Sequence, residues 1–450
     1  MAMHRRFHFW LTLILNVFGL FCVQMTVKDA FCVQENPAAE APDEPQFDRE
    51  LFLKSFDEVV KTITESHWDS ELVQQQFLPL AEQLRVKAAD AKSAGEFRKL
   101  IEELLASLKQ SHFGLIPNSS YEQMEAREKR GGTGYSGLTV RMVGSDLMIT
   151  EVRPDSPAFS AGVRPGWKLI STQPADKTKI LQQAEEYVAN STLRLETAAA
   201  LVAQQYMGAP AGKEVTLHLE DLTGTTREVK FEMGPPVGRP SRFGNLPEIP
   251  VEFRAMLLDE NVGYMSFNAF LDAPRVMKEF TQAIEQYRES DGLIIDLRGN
   301  MGGLMMLTMG MCGWFVESEV ELGKMQMKGA VLNLKLNPRS PRFEKPVAVL
   351  IDETSISAAE VMAGGMQDAG TAKIFGRRTA GLVLPSNVVR LSNGDGLQYA
   401  MSDYQSLSGR TLEIEGVKPD FEIEVNQETL KDGSDPVLAA AIKWIKSQKK

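Results

Sequence analysis

Three cysteines and five histidines are scarce for a chain of 450 residues, and their scatter excludes two classes of fold support. Of Cys22, Cys32 and Cys312, at most Cys32 and Cys312 remain once an N-terminal signal is removed, so no disulfide framework is implied and the core must stabilise itself. No His or Cys spacing matches a structural metal site, and neither a metal nor a cofactor is expected. Clustered basic charge is also missing. A net charge of -11 and a pI near 5.2 leave nothing to neutralise a phosphate backbone, which excludes nucleic acid as a partner. What is present, 43% hydrophobic and 24% charged residues, is globular and sufficient for about two or three domains with real cores.

Arg5 and Arg6 precede an apolar run from about Phe9 to Val23, the pattern of an export signal. Its core is close to the lower length of a membrane span, so residues 1–32 read as a signal peptide or a signal anchor. The expected location is periplasmic or otherwise extracytoplasmic, with membrane attachment only through this segment if it stays uncleaved. Phe21 before Cys22 and Phe31 before Cys32 exclude lipidation, which needs a small residue there. Residues 33–46 (VQENPAAEAPDEPQ) read as a flexible spacer.

From Phe47 onward, Leu51, Phe56, Val59, Val60 and Ile63, then Phe97, Leu100, Ile101 and Leu104, recur at helical spacing, which predicts a helical domain over 47–125. A glycine cluster at Gly131, Gly132, Gly134 and Gly137 opens a β-rich unit over 131–235. Its stretches YSGLTV and SPAFSAGVRPGWKLI resemble a PDZ domain. The resemblance makes Tyr135, Ser136, Gly137 and Leu138 the loop that captures a peptide C-terminus, with the peptide added as a strand at a sheet edge. Lys179 to Met207 reads as a helical insertion, either one elongated helix beside that groove or an ordinary packing insert. Prolines mark a linker at 236–254, and apolar strands then alternate with helices over 255–450, an α/β core with substantially parallel pairing.

Three stretches of this core carry the chemistry: DLRGNMGG (296–303), TSISAAEVMAGGMQD (354–368) and GRTLEIEGVKPD (409–420). In this order they resemble the catalytic domain of the carboxy-terminal-processing and tricorn family of serine peptidases. The implied architecture is an α/β multidomain protein with a ClpP/crotonase-like catalytic core. Ser357 follows the apolar strand PVAVLID and precedes a helical run, a strand-to-helix turn suited to a nucleophile. Ser355 competes, but the family places its nucleophile three residues before a Glu, here Glu360. Gly302 and Gly303 are candidate oxyanion donors, because a glycine turn presents amides without side-chain obstruction, and the resemblance adds Ala358.

A serine also needs a base. Processing proteases carry a Lys in a TFGKG-like turn 25 residues beyond the nucleophile, but this chain reads TAGLV and has Leu382 there. Lys373, Arg377 and Arg378 lie nearby without matching the motif, and Arg stays protonated. The tricorn branch instead uses a His preceded by Ser and a distant Glu, which the resemblance places at Ser111, His112 and Glu413, with Glu415 as the alternative acid. His67 and His218 lack motif context and read as structural, as does the Met-rich helix LMMLTMGMCGWF, while Asp403 and Tyr404 read as structure or a substrate wall. The expected function is an exported serine endopeptidase acting on peptides or unfolded protein C-termini. Two alternatives stay open: a peptide-binding protein without turnover, and a serine hydrolase of non-peptide acyl substrates.

Overall fold

The computed structural model of the chain describes residues 47–129, 132–173, 175–189, 191–242, 244 and 248–448. The expected export segment and spacer, with Gly131, lie outside them.

Helix α1 (Arg49–Ser66) starts where Asp48 accepts from the Leu51 amide, and its stripe Phe52, Phe56, Val59 and Ile63 is buried. It packs with α2 (Leu78–Ala89) and with α3 (Ala94–Ala106), which is capped by Ser93 and buries Phe97, Ile101, Leu104 and Leu105. Strand β1 (Gly114–Ile116) follows and pairs with a strand at residues 396–400, whose Leu397 and Tyr399 share the bundle's core with Leu115. Helix α4 (Asn118–Lys129) leads to the β-rich unit.

That unit is an antiparallel sheet of β2 (Leu138–Val143), β3 (Asp146–Val152), β4 (Lys168–Thr172), β5 (Glu214–Glu220) and β6 (Thr226–Glu232), in that order, so β2 is an edge strand. Two helices, α5 (Lys177–Ala189) and α6 (Leu195–Met207), stand where the sequence suggested one elongated helix. Between them the Ser191 hydroxyl donates to the Tyr187 carbonyl and accepts from the Leu193 amide.

The catalytic region is built on β7 (Phe253–Leu258), β8 (Val262–Phe267), β9 (Leu293–Asp296), β12 (Val347–Ile351), β13 (Lys373–Gly376) and β17 (Phe421–Glu422). Their spatial order is β17-β13-β12-β9-β8-β7, parallel except for the β7–β8 pair. The central strands β9 (LIID) and β12 (VAVLI) are wholly buried, as continuous apolar runs in a parallel sheet should be. Helices α7 (Ala273–Gln286), α8 (Met305–Cys312) and α9 (Ala358–Asp368) contribute to the main core on one face, and α10 (Pro436–Ser447) covers the other. A sheet of β10 (Val320–Met327), β11 (Ala330–Leu336) and β16 (Ser402–Ser406) lies beside it, and the hairpin β14 (Ser386–Arg390) with β15 (Gly396–Ala400) receives β1. Met305, Met311 and Cys312 of α8 sit in the core, where burial pushes the thiol up to about 12. No described helix is long and apolar enough to cross a membrane.

Candidate active site

The stretches 296–303 and 354–368 leave the carboxyl ends of adjacent parallel strands, the position where open α/β sheets place their ligands. After β9 comes the turn that ends in Gly302 and Gly303; after β12 comes Ser357 at the N-terminus of α9. Ser357 sits at φ +57° and ψ -119°, a conformation that L-residues avoid and that sharp nucleophile turns between strand and helix adopt. Gly302 lies against it: a Cβ there would come within 2.7 Å of Ser357 Cβ and 2.8 Å of the Ile356 carbonyl. The Gly302 amide donates to Asn300 Oδ1 at 2.9 Å, so it is already engaged. Gly303 approaches Phe270 so closely that a Cβ would meet its carbonyl at 2.5 Å, and the Phe270 amide donates to Gly302 O. Ser355, the rival nucleophile, donates to the Leu297 carbonyl and accepts from the Asp352 amide, which spends its hydroxyl on the turn.

Glu360, one turn into α9, is fully buried and collects four donors: Thr379 Oγ1 at 2.6 Å, Gly381 N at 2.7 Å, Leu382 N at 2.9 Å and Ser357 N at 3.1 Å. Burial pushes its pKa up, but a site made only of donors favours the carboxylate. This clamp ties the nucleophile turn to the TAGLV loop, and the Ser357 amide also donates to Leu382 O at 3.0 Å. The Leu382 side chain is buried in the core of the β-rich unit together with Ile356 and Ala380. Lys373 reaches Asp420 at 3.6 Å, Arg377 bonds Glu353 and the Met142 carbonyl, and Arg378 bonds the carbonyls of Ile414 and Glu415. All three cations have structural partners.

Ser111 and His112 arrive from the other side, on the loop between α3 and β1, and β1 pairing with β15 fixes where they end. Both are buried. Ser111 Oγ lies 2.7 Å from His112 Nδ1 and donates to Glu413 Oε2 at 3.0 Å, while the Ser111 amide donates to Glu413 Oε1 at 2.7 Å. The Val383 amide, next to the clamped loop, gives Glu413 a third donor at 3.1 Å. A hydroxyl has one proton. If Ser111 gives it to the carboxylate, it can only accept from His112, which puts the imidazole proton on Nδ1 and the lone pair on Nε2. Burial drives His112 down to about 3, so it is neutral at ordinary pH, and pushes Glu413 up to about 7. Glu415 is exposed and faces Arg378 at 3.6 Å and Lys418 at 3.8 Å, away from this relay.

In the β-rich unit, Tyr135 exchanges both backbone hydrogen bonds with Gly234. Ser136 Oγ accepts from the Leu138 amide, and Gly137, at φ +81°, packs so tightly that a Cβ would strike Ser156. The loop leads into the edge strand β2. On β2, Arg141 pairs with Asp352 at 2.8 Å, five residues before the nucleophile, so the two units meet at the active-site turn. His218 lies on β5 beside Ser171 at 3.0 Å, a cross-strand contact on the sheet. Tyr404 is buried and donates to the Leu322 carbonyl, and Asp403 accepts from the Tyr404 amide.

Sequence reasoning used Glu360 only as a spacing marker and missed Thr379, Val383 and Asn300. Glu360 could have been suspected as a buried carboxylate in an apolar helix start; the others act through backbone or local polar contacts that leave no mark in residue type. Among the described residues no group of His, Cys, Asp and Glu could hold a metal.

Residues 261–423 match Peptidase family S41. The carboxyl-terminal-processing protease of Synechocystis is 25% identical over 329 residues, spanning 72% of this chain and 70% of that one. The carboxy-terminal processing protease CtpA of Bacillus subtilis is 24% identical over 318 residues, spanning 69% and 61%. Among solved structures, a photosystem II D1 C-terminal processing protease superposes with a TM-score of 0.55 at 20% identity, covering 88% of this chain and 98% of that one. Mature CPAF bound to lactacystin gives 0.55 at 15% identity, covering 89% and 98%. Residues 261–423 thus carry a peptidase S41 region, and the chain is similar in sequence to processing proteases and shares their fold.

Proposed function

We propose that this chain is an exported endopeptidase that cleaves peptides or unfolded protein tails with a Ser/His site rather than a Ser/Lys dyad. The observation that carries this reading is the Ser111 hydroxyl bridging His112 Nδ1 and Glu413, with Leu382 buried where a dyad lysine would stand. Ser357 Oγ attacks the scissile carbonyl while His112 Nε2 takes its proton. The imidazolium that forms keeps its Nδ1 proton on Ser111 Oγ, and the Glu413 carboxylate stabilises the positive charge through that hydroxyl. Amides of Gly303 and Ala358 are the proposed donors to the tetrahedral oxyanion, since the Gly302 amide is held by Asn300. His112 then returns the proton to the leaving amine, and water hydrolyses the acyl-enzyme by the same route in reverse.

The β-rich unit is proposed as a PDZ-like module that takes a chain terminus at Tyr135–Leu138 and adds it beside the edge strand β2. Export rests on the N-terminal apolar run with Arg5 and Arg6 before it. The test is cleavage of an unfolded protein by wild type, Ser357→Ala and His112→Ala. Loss of at least about 10³-fold in both folded variants is expected, as for residues acting as one catalytic unit. Activity surviving in His112→Ala would move the base elsewhere, and a wild type that never cuts would favour a binding protein.

A further inference from the structure

His67 ends α1, and its surroundings concern the catalytic loop more than the helix. Its Nδ1 accepts from the Asp69 amide at 3.0 Å, which places the ring proton on Nε2, and Nε2 lies 2.9 Å from Gln110 Oε1. The ring stacks between Trp68, with centroids 4.3 Å apart, and Phe113, 5.7 Å apart. Gln110 and Phe113 are the two residues that flank Ser111 and His112. The side chain has no exposed surface.

The loop needs such a grip. His112 has φ +62° and Lys109 φ +53°, a region that non-glycine residues avoid, so the conformation persists only if its neighbours over-determine it. On the far side β1 supplies this by pairing with β15. On the near side the polar contact that reaches across from another element is His67 to Gln110, 43 positions apart in the chain. We infer that His67 is a positioning residue of the active site, gripping Gln110 by hydrogen bond and Phe113 by ring stacking so that the Ser111–His112 pair between them stays aligned with Glu413 and Ser357. Burial lowers the His67 pKa, which keeps the ring in the neutral form that this pair of contacts requires.

The inference rests on the reading of His112 as the base, and the experiment separates the two. The full chain is compared with Gln110→Ala, His67→Ala, His112→Ala and the double variant Gln110→Ala/His112→Ala. Each is followed by peptide cleavage, by the rate at which a fluorophosphonate labels Ser357, and by thermal melting. Gln110→Ala removes only the bond to the loop and leaves the His67 cap intact. It is expected to lower kcat and the labelling rate about tenfold with KM and melting temperature nearly unchanged, because misplacing a catalytic group slows chemistry without weakening binding. In the His112→Ala background the same change should have no further effect, since it acts through His112. A folded Gln110→Ala enzyme with wild-type kcat, or one that loses the same factor with and without His112, overturns the inference and leaves His112 as base. Labelling of His112→Ala at the wild-type rate overturns the base reading and this inference with it. If His67→Ala does not fold, the Gln110 series decides alone.

Discussion

The two sides of the active site are built by opposite means. Ser357 stands between a wholly buried five-residue strand and the helix that follows at once, so its strained backbone is set first by elements contiguous with it in the chain and then braced by Gly302 and the TAGLV loop. The Ser111–His112–Glu413 relay joins residues 302 positions apart, and nothing local holds it: a strand pairing, a loop amide and a distant histidine fix it instead. A nucleophile can thus be specified by a short stretch of sequence, whereas its base is specified only by the completed fold. The side built from local structure should fail abruptly when touched, and the side built from tertiary contacts should be tunable.

Gly302→Ala should break the first side most severely. At φ +85°, with Ser357 Cβ and the Ile356 carbonyl both within 3 Å of the added methyl, the backbone must shift where the nucleophile sits. We expect a loss of about 10²-fold in kcat, from displaced donors and nucleophile, and destabilisation of about 2–3 kcal/mol. Cleavage kinetics with urea unfolding check both. Unchanged kcat would mean that the nucleophile turn is less rigid than its contacts imply.

Glu413→Gln tunes the second side. The carboxyl, pushed up to about 7, must be ionised to accept the Ser111 proton, so kcat/KM of wild type should rise as pH increases toward 7 and level off above it. The Gln variant should lack that limb and run about tenfold slower at pH 8. Stability carries its own signature. A carboxyl whose folded value lies above its unfolded one contributes stability below pH 4.5 that is lost as pH rises to about 7, so removing it should leave a flatter curve over that window. His112, held down at about 3, works in the reverse sense and loses stability as pH falls below 6.5. A pH–activity profile identical in both proteins would separate Glu413 from the relay.

How far this was legible in the sequence follows the same division. The runs LIID and VAVLI and the glycine turn could be read directly, because period and turn chemistry are local signals, whereas Ser357 was preferred to Ser355 through the family's spacing to Glu360. Ser111, His112 and Glu413 come from a family pattern alone, and it takes the folded chain to see that Glu413 is buried against Ser111 while Glu415 is exposed. His67 looked like a bland core histidine because its importance lies in which residues it touches. The division into α5 and α6 left no mark in the helical periodicity of the segment.

The smallest expected effect sharpens the comparison furthest. Ile414, next to Glu413, is a β-branched residue at φ +65° and nearly half exposed, a conformation in which its side chain is strained and gains little from packing. It is held there by its amide on Gly381 O at 2.7 Å and by Arg378 on its carbonyl at 2.9 Å. Glycine tolerates that backbone, so Ile414→Gly should relieve the strain, and after the added freedom of the unfolded chain is subtracted about 0.5–1 kcal/mol of stability should remain. If the strain serves to press Glu413 onto Ser111, the more stable protein should also be a few-fold slower. A variant that gains stability at full speed would show instead that Glu413 is fixed by its three donors alone, and that the strain beside it plays no part in aligning the relay.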